Sequence, residues 1–287
     1  MPTAREFGPE SATRLAIAQR VADAHRGIDD ASLLSFVSGS TVDDLADTRS
    51  DVDMSVVFAR LPDEAVLRAA CCRVGGEWFF SRGDSIEGLV VSFHVEGIEV
   101  QIGYNNEAAL ISYLDGLLVA HNPDTWDHKL AEGILKAVPL AGGERLAALQ
   151  GRLAAFPPEL GRAMVKHGLA APLSWRGITQ LLHRDAYLWC RDIQVDACYR
   201  LLLVLCGLNS RYFTRYQVKR MRQLCARLQT APAGLAERME ALLSAPPREA
   251  FDALHRLEGE VLDLVAAKLP DVDLEPARKR LAAYAPE

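Results

Sequence analysis

Two aspartates one residue apart, Asp51 and Asp53, stand at the head of the apolar run Val52–Phe58 (VDMSVVF). In an extended strand, side chains two positions apart point to the same face, so both carboxylates converge on one spot. Adjacent carboxylates repel unless positive charge lies between them. A divalent magnesium ion, which prefers carboxylate and phosphate oxygens, is the natural occupant. Upstream, the apolar run Leu33–Ser38 (LLSFVS) ends in Gly39-Ser40. Without a Cβ, Gly39 lets the backbone approach a ligand closely. The Ser40 hydroxyl and neighbouring N–H groups are suited to donate to phosphate oxygens. Arg49, just before the aspartates, is placed to reach the same anion. In-line transfer of a phosphoryl or nucleotidyl group needs little more than positioning and neutralised phosphate charge. Metal ions held by three carboxylates supply both. Glu99 is the best third carboxylate: it lies in Gly97–Ile102 (GIEVQI), where Ile98 and Val100 face the other side of a strand.

The elements that must hold these groups are legible in the first third of the chain. Residues 10–26 carry apolar side chains at helical spacing, with Ser11 or Thr13 as the cap. Strands are expected over 33–38 and 52–58, joined by a loop of about ten residues. An amphipathic helix is expected over 62–73, begun by Pro62-Asp63 and stopped by Gly75-Gly76. Residues 89–95 and 98–104 read as a hairpin closed by Glu96-Gly97. After Asn105, strand-like alternation gives way to helical segments punctuated by Asn122-Pro123, Gly142-Gly143, Pro157-Pro158, Pro172, Pro232 and Pro246-Pro247. These breaks predict five or six helices, enough for a bundle. The change of pattern predicts two domains, bounded near residues 105–125.

With 287 residues, 49% of them hydrophobic, the chain can bury a substantial core. A net charge of −6 gives no general attraction for long nucleic acid. No stretch is long and apolar enough to span a bilayer, and residues 1–10 lack a signal-peptide core, so a cytoplasmic protein is expected. The six cysteines form no C-x-x-C pair. Cys190, Cys198 and Cys206 recur along an apolar helical run and read as core residues.

Gly-Ser at a strand end, S-D-V-D opening the next strand and an apolar-flanked glutamate in a later one together resemble the polymerase-β-like nucleotidyltransferase superfamily. The closest likeness is to bacterial proteins in which this domain precedes a helical one, kanamycin-type aminoglycoside nucleotidyltransferases among them. The resemblance is close over residues 33–104 and extends to the helical half in type only. It implies an α+β chain: a nucleotidyltransferase domain with a mixed sheet at 1–115, then an all-α helical bundle at 116–287. It also implies a catalytic metal set of Asp51, Asp53 and Glu99 holding two magnesium ions. Gly39, Ser40 and Arg49 would hold the phosphates. One departure bears on this set: many relatives carry an aspartate where this chain has Gln101. Glu99 and Gln101 share a face, so strand register decides between them, and the reading favours Glu99.

In such proteins the triphosphate lies between the domains, and the helical half supplies basic and aromatic residues. Residues 211–227 (RYFTRYQVKRMRQLCAR) contain six basic residues and no acidic one. Read as a helix, they align Arg211, Arg215, Lys219 and Arg222 on one face, with Tyr212 and Tyr216 beside them for base stacking. The alternative is a solvated basic face. Arg215 and Lys219 are the phosphate-binding candidates. Asp185, Asp192 and Asp196 are candidates for the acceptor's general base, with ion pairing the competing role.

The implied activity is transfer of a nucleoside monophosphate, AMP from ATP, to a hydroxyl of a small molecule, with release of pyrophosphate. An antibiotic such as an aminoglycoside or lincosamide is the implied acceptor, and Asp43, Asp44 and Asp47 would attract a cationic one. Nucleotidylation of a protein or an RNA end is a second reading. A non-catalytic nucleotide sensor or interaction protein is a third, which loss of a carboxylate at Gln101 would favour. Oligomeric state is left open.

Overall fold

A computed structural model of the chain describes residues 6–84, 88–170, 180–215 and 218–283. The chain is α+β and divides into two compact units. One comprises Met1–Asp115 with Leu130–Ala155, the other Gly116–Lys129 with Phe156–Glu287.

The first unit is built on a six-stranded mixed sheet. Its strands are β1 (Leu34–Ser38), β2 (Val52–Phe58), β3 (Trp78–Asp84), β4 (Gly88–Val95), β5 (Ile98–Asn106) and β6 (Val138–Ala141), in the order β3-β4-β5-β2-β1-β6. Among the described residues only β2 and β5 run parallel; every other neighbouring pair is antiparallel. Alternation decides the two faces. Val37, Val52, Met54, Val56, Val100, Ile102 and Tyr104 are buried on one side. There they join Ile17, Ala18 and Val21 of α1 (Pro9–Ala24) and Leu67 and Cys71 of α3 (Glu64–Cys72) in a single core. Between these apolar positions Asp53, Ser55, Glu99, Gln101 and Gly103 are only half-buried. The β4–β5 hairpin closes through Glu96 (φ 53°) and Gly97 (φ 81°), the pair of left-handed residues that a two-residue type I′ turn demands.

Four local expectations need correction. Helix α1 is capped by Gly8, with Pro9 at its first position, and not by Ser11 or Thr13. The supposed loop after Gly39 begins as a short helix, α2 (Ser40–Asp43). Strand β3 was not anticipated, because WFFSRGD alternates poorly and contains a glycine. Its bulge between Trp78 and Phe80 resolves the pattern: Trp78 pairs with Phe93 on the core side, and Phe80 with Ser92 on the other. Strand β6 lies in the half read as helical only. It contains Pro139, which a sheet tolerates at an edge, where β6 sits beside β1.

Helices α4 (Glu107–Leu118), α5 (Asp127–Lys136) and α6 (Gly143–Ala154) follow the sheet strands or flank β6. Asn106 starts α4 by accepting the Ala109 N–H on its side-chain oxygen at 2.7 Å. In the second unit, α7 (Pro158–Leu169) and α8 (Tyr187–Leu208) pack closely where Gly161 and Gly207 meet. A Cβ on either glycine would lie within 2.8 Å of the other's carbonyl oxygen. Cys190, Cys198 and Cys206 are buried along α8, as expected of small apolar side chains. Burial pushes the Cys198 thiol up to about 12. Further helices are α9 (Met221–Ala226), α10 (Leu235–Ser244), α11 (Pro247–Lys268) and α12 (Glu275–Ala282). Among the described residues no helix is long and apolar enough to cross a membrane.

Candidate active site

The Gly-Ser turn and the aspartates meet where β1 and β2 pair. Ser38, the last residue of β1, lies directly opposite Asp53. Gly39 then turns with φ 70° and ψ −148°, a conformation open essentially only to glycine. A Cβ on Gly39 would overlap Asp53 Oδ2 and lie 3.3 Å from the Asp53 Cβ and Cγ. The missing side chain is therefore the seat of the Asp53 carboxylate. Ser40 follows as the first residue of α2.

Asp51 is positioned from behind by a residue that motif reading missed. Arg14, 1% exposed, donates from Nε to the Ser50 carbonyl at 2.8 Å. It also pairs through Nη1 with the Glu10 carboxylate at 2.6 Å. A buried guanidinium with these partners fixes the backbone just before Asp51. The approach to it is a turn in which the Ser50 N–H donates to the Asp47 carbonyl at 3.0 Å and the Arg49 N–H to Asp47 Oδ1 at 2.9 Å. Arg49 itself is exposed beside the pair.

Strand register settles how Glu99 and Gln101 stand to the aspartates. Val52 is level with Val100 and Asp53 with Gln101. Gln101 is thus the immediate neighbour of Asp53. Carried back one residue, the same register sets Glu99 level with Asp51. All four polar side chains belong to one face. Among the described residues no group of three or more His, Cys, Asp or Glu side chains is arranged to hold a metal ion, so the carboxylates of Asp51, Asp53 and Glu99 do not form a preassembled cage.

The donors that are present fit magnesium in its usual manner. That ion commonly binds through one or two carboxylates, keeps several waters and takes its remaining ligands from substrate phosphate. Asp51 and Asp53 supply hard oxygens on one face, and the Gly39 seat holds the Asp53 carboxylate at the end of the Gly-Ser turn. Lys136 of α5, which no spacing signalled, brings a cation to within 3.5 Å of Asp43 in α2 and 2.7 Å of Glu132.

The acidic loop residues have local work. Asp43 pairs with Lys136, Asp44 Oδ1 accepts the Gly8 N–H at 2.8 Å, and Asp47 organises its own turn. The basic segment departs from expectation more sharply. Residues 211–227 are not one helix: α8 stops at Leu208, Ser210 is left-handed (φ 52°), and among the described residues of the segment only Met221–Ala226 is α-helical. Arg211, Arg215, Lys219 and Arg222 therefore do not share a helix face. The stop is anchored by Asn209, which donates to the Thr230 carbonyl at 2.9 Å and accepts the Thr230 N–H at 2.9 Å. Tyr212, expected to stack on a base, is buried against Phe156 and His128. Tyr216 lies outside the described residues. Lys219 is exposed.

Arg215 donates to Asp196 at 2.7 Å, and Arg200 donates to the same carboxylate at 2.6 Å. Burial alone would raise the Asp196 carboxyl, but the two guanidinium hydrogen bonds outweigh it and hold it below its ordinary value. Asp196 is thus an ion-pair partner. Arg222 likewise pairs with Glu240 and Glu237, acidic neighbours that the local sequence did not reveal.

No protein-family profile matches the chain. No curated protein matches it either. Among solved structures, a nucleotidyltransferase-like protein from Exiguobacterium sibiricum 255-15 is similar in chain trace, with a TM-score of 0.39 and 14% identity. The match covers 96% of this chain and 89% of that one.

Proposed function

We propose that the chain is a nucleotidyltransferase that moves a nucleoside monophosphate, AMP from ATP, onto a hydroxyl of a small acceptor. The observation that supports this reading is the seating of the Asp53 carboxylate against Gly39, with Asp51 on the same face and Ser40 immediately beyond. Asp51 and Asp53 would hold magnesium, which supplies neutralisation of triphosphate charge when bound. Gly39, Ser40 and Arg49 are the phosphate-facing groups of this reading, and Glu99 is its third carboxylate. The attacking acceptor oxygen bonds to the α-phosphorus, its proton leaves to solvent, and the bond to pyrophosphate breaks.

The test is chemical. ATP labelled at the α-phosphate is incubated with magnesium and a panel of hydroxylated small molecules. Transfer of label with release of pyrophosphate, abolished in Asp51→Asn/Asp53→Asn, is the expected result. Binding of ATP without transfer to any hydroxyl compound, protein or RNA end would favour a nucleotide sensor. That second reading draws on Gln101, the uncharged neighbour of Asp53.

A further inference from the structure

The face that carries the aspartates continues to the sheet edge, buried at Ser92 and exposed at Val90, His94 and Phe80. Asp53 pairs with Gln101, Gln101 with Ser92 and Ser92 with Phe80, a single row running from β2 through β5 and β4 to β3. In the adjacent row Glu99 stands opposite His94, whose ring is stacked by Phe79 at 4.8 Å and 24°. On the other flank Gly103 pairs with Val90, and Val90 with Arg82. Directly opposed residues in a sheet share a face, so Phe80, Val90 and His94 stand on the same side as Asp53.

Phe79 is 55% exposed, Phe80 45% and Val90 38%. An isolated exposed apolar side chain is ordinary, but a cluster beside a polar site is characteristic of a binding surface. The bulge between Trp78 and Phe80 serves this arrangement: it keeps Trp78 on the core side while leaving two consecutive phenylalanines exposed.

In-line transfer limits what belongs there. Gly39 and Ser40 follow β1, which lies on one side of β2, whereas β5, β4 and β3 lie on the other. If pyrophosphate departs over the Gly-Ser turn, the attacking oxygen arrives from the opposite side, over β5 and β4. We propose that Phe79, Phe80, Val90 and His94 form the acceptor platform, and that the acceptor carries a flat, apolar ring some distance from its reactive hydroxyl. This rests on the nucleotidyl-transfer reading. Three strand spacings separate β2 from β3, about 14 Å. That span suits a compact molecule with a hydroxyl at one end and a ring at the other. Arg82 puts a positive charge at the β3 end of this face, away from the carboxylates, so the ring end of the acceptor is neutral and not a polycationic aminosugar.

The test uses the full chain with magnesium and α,β-methylene-ATP. 4-Nitrophenyl β-glucoside serves as an aryl probe and kanamycin as an aminosugar. Calorimetry compares wild type with Phe79→Ala/Phe80→Ala, whose half-exposed side chains can be removed with retention of the fold, checked by melting. The wild type is expected to bind the aryl glucoside and not kanamycin. The double variant is expected to bind the glucoside about tenfold more weakly, with the ATP analogue bound equally by both proteins. Equal glucoside binding by the two proteins, or none by a wild type that binds the analogue, overturns the acceptor platform alone. A variant that loses the analogue instead would assign the surface to the nucleobase and also overturn it. A wild-type dimer split by the double variant would make the face an interface between copies, against the proposal. A wild type that binds no analogue removes the nucleotidyl-transfer reading and this inference with it.

Discussion

Gly39 and Asp53 occupy one another's space: the Asp53 carboxylate lies where a side chain on residue 39 would be. Gly39→Ala meets two obstacles at once, the overlap with Asp53 and a backbone at φ 70°. The substitution should cost about 1–3 kcal/mol of stability, because either the turn or the carboxylate has to move. The functional loss should exceed the structural one. Magnesium-dependent binding of an ATP analogue should fall at least tenfold in protein that is still folded, read by calorimetry beside urea denaturation. An unchanged affinity would show that the seat is only structural.

Gln101 lies beside Asp53 in the parallel β2–β5 register. Gln101→Asp places a second carboxylate there. Without a divalent ion, the added repulsion should lower stability by up to about 1 kcal/mol. Magnesium should reverse the loss, because the neighbouring carboxylates then share a cation. Melting curves with and without magnesium check this. A wild type and variant that respond identically to the ion would count against metal binding on this face.

On the opposite face of the sheet, the His25 Nδ1–H donates to the Val21 carbonyl at 2.7 Å, while Nε2 accepts from the Tyr104 hydroxyl at 2.7 Å. Cys71 Sγ lies 3.4 Å from the same hydroxyl. Burial, opposed by the Val21 hydrogen bond and reinforced by nearby Arg73, holds His25 below its ordinary value. The folded protein therefore binds this proton less readily than the unfolded chain. Stability is fully present above an unfolded pKa of about 6.5 and is lost as pH falls from there toward the folded value. The slope should be at most about 1.4 kcal/mol per pH unit from this group. Buried His128 is shifted in the same direction and adds to the effect. Denaturation between about pH 7.5 and pH 5 measures it, and His25→Gln should flatten part of the curve. A flat wild-type profile would contradict the assignment.

What could be read from the chain follows from how local each signal is. Val52–Val56 and Ile98–Tyr104 alternate because one face packs on α1 and α3 and the other carries Asp53, Ser55, Glu99 and Gln101, so both strands and the direction of Asp53 were legible. Glu96-Gly97 was legible because its turn needs two positive φ angles. Trp78–Asp84 was not, since a bulge breaks the period that reveals a strand. Nor was Val138–Ala141, a short edge strand whose pairing with β1 is a long-range fact. Nothing in the local sequence marks Arg14; only the fold brings Ser50 to it. The basic run 211–227 misled for a similar reason. Helical spacing says nothing of the Asn209–Thr230 hydrogen bonds that end α8, or of Glu240 and Asp196, 18 and 19 residues along the chain from the arginines they take.

The central claim is that Asp51 and Asp53 bind triphosphate through magnesium. It is tested most directly by calorimetric titration of the full chain with α,β-methylene-ATP, with magnesium and without, in wild type and in Asp51→Asn/Asp53→Asn. The account predicts binding by the wild type that requires magnesium and vanishes in the folded double variant. Wild-type protein that binds no analogue with magnesium, or a double variant that binds it as well as wild type, would contradict the account.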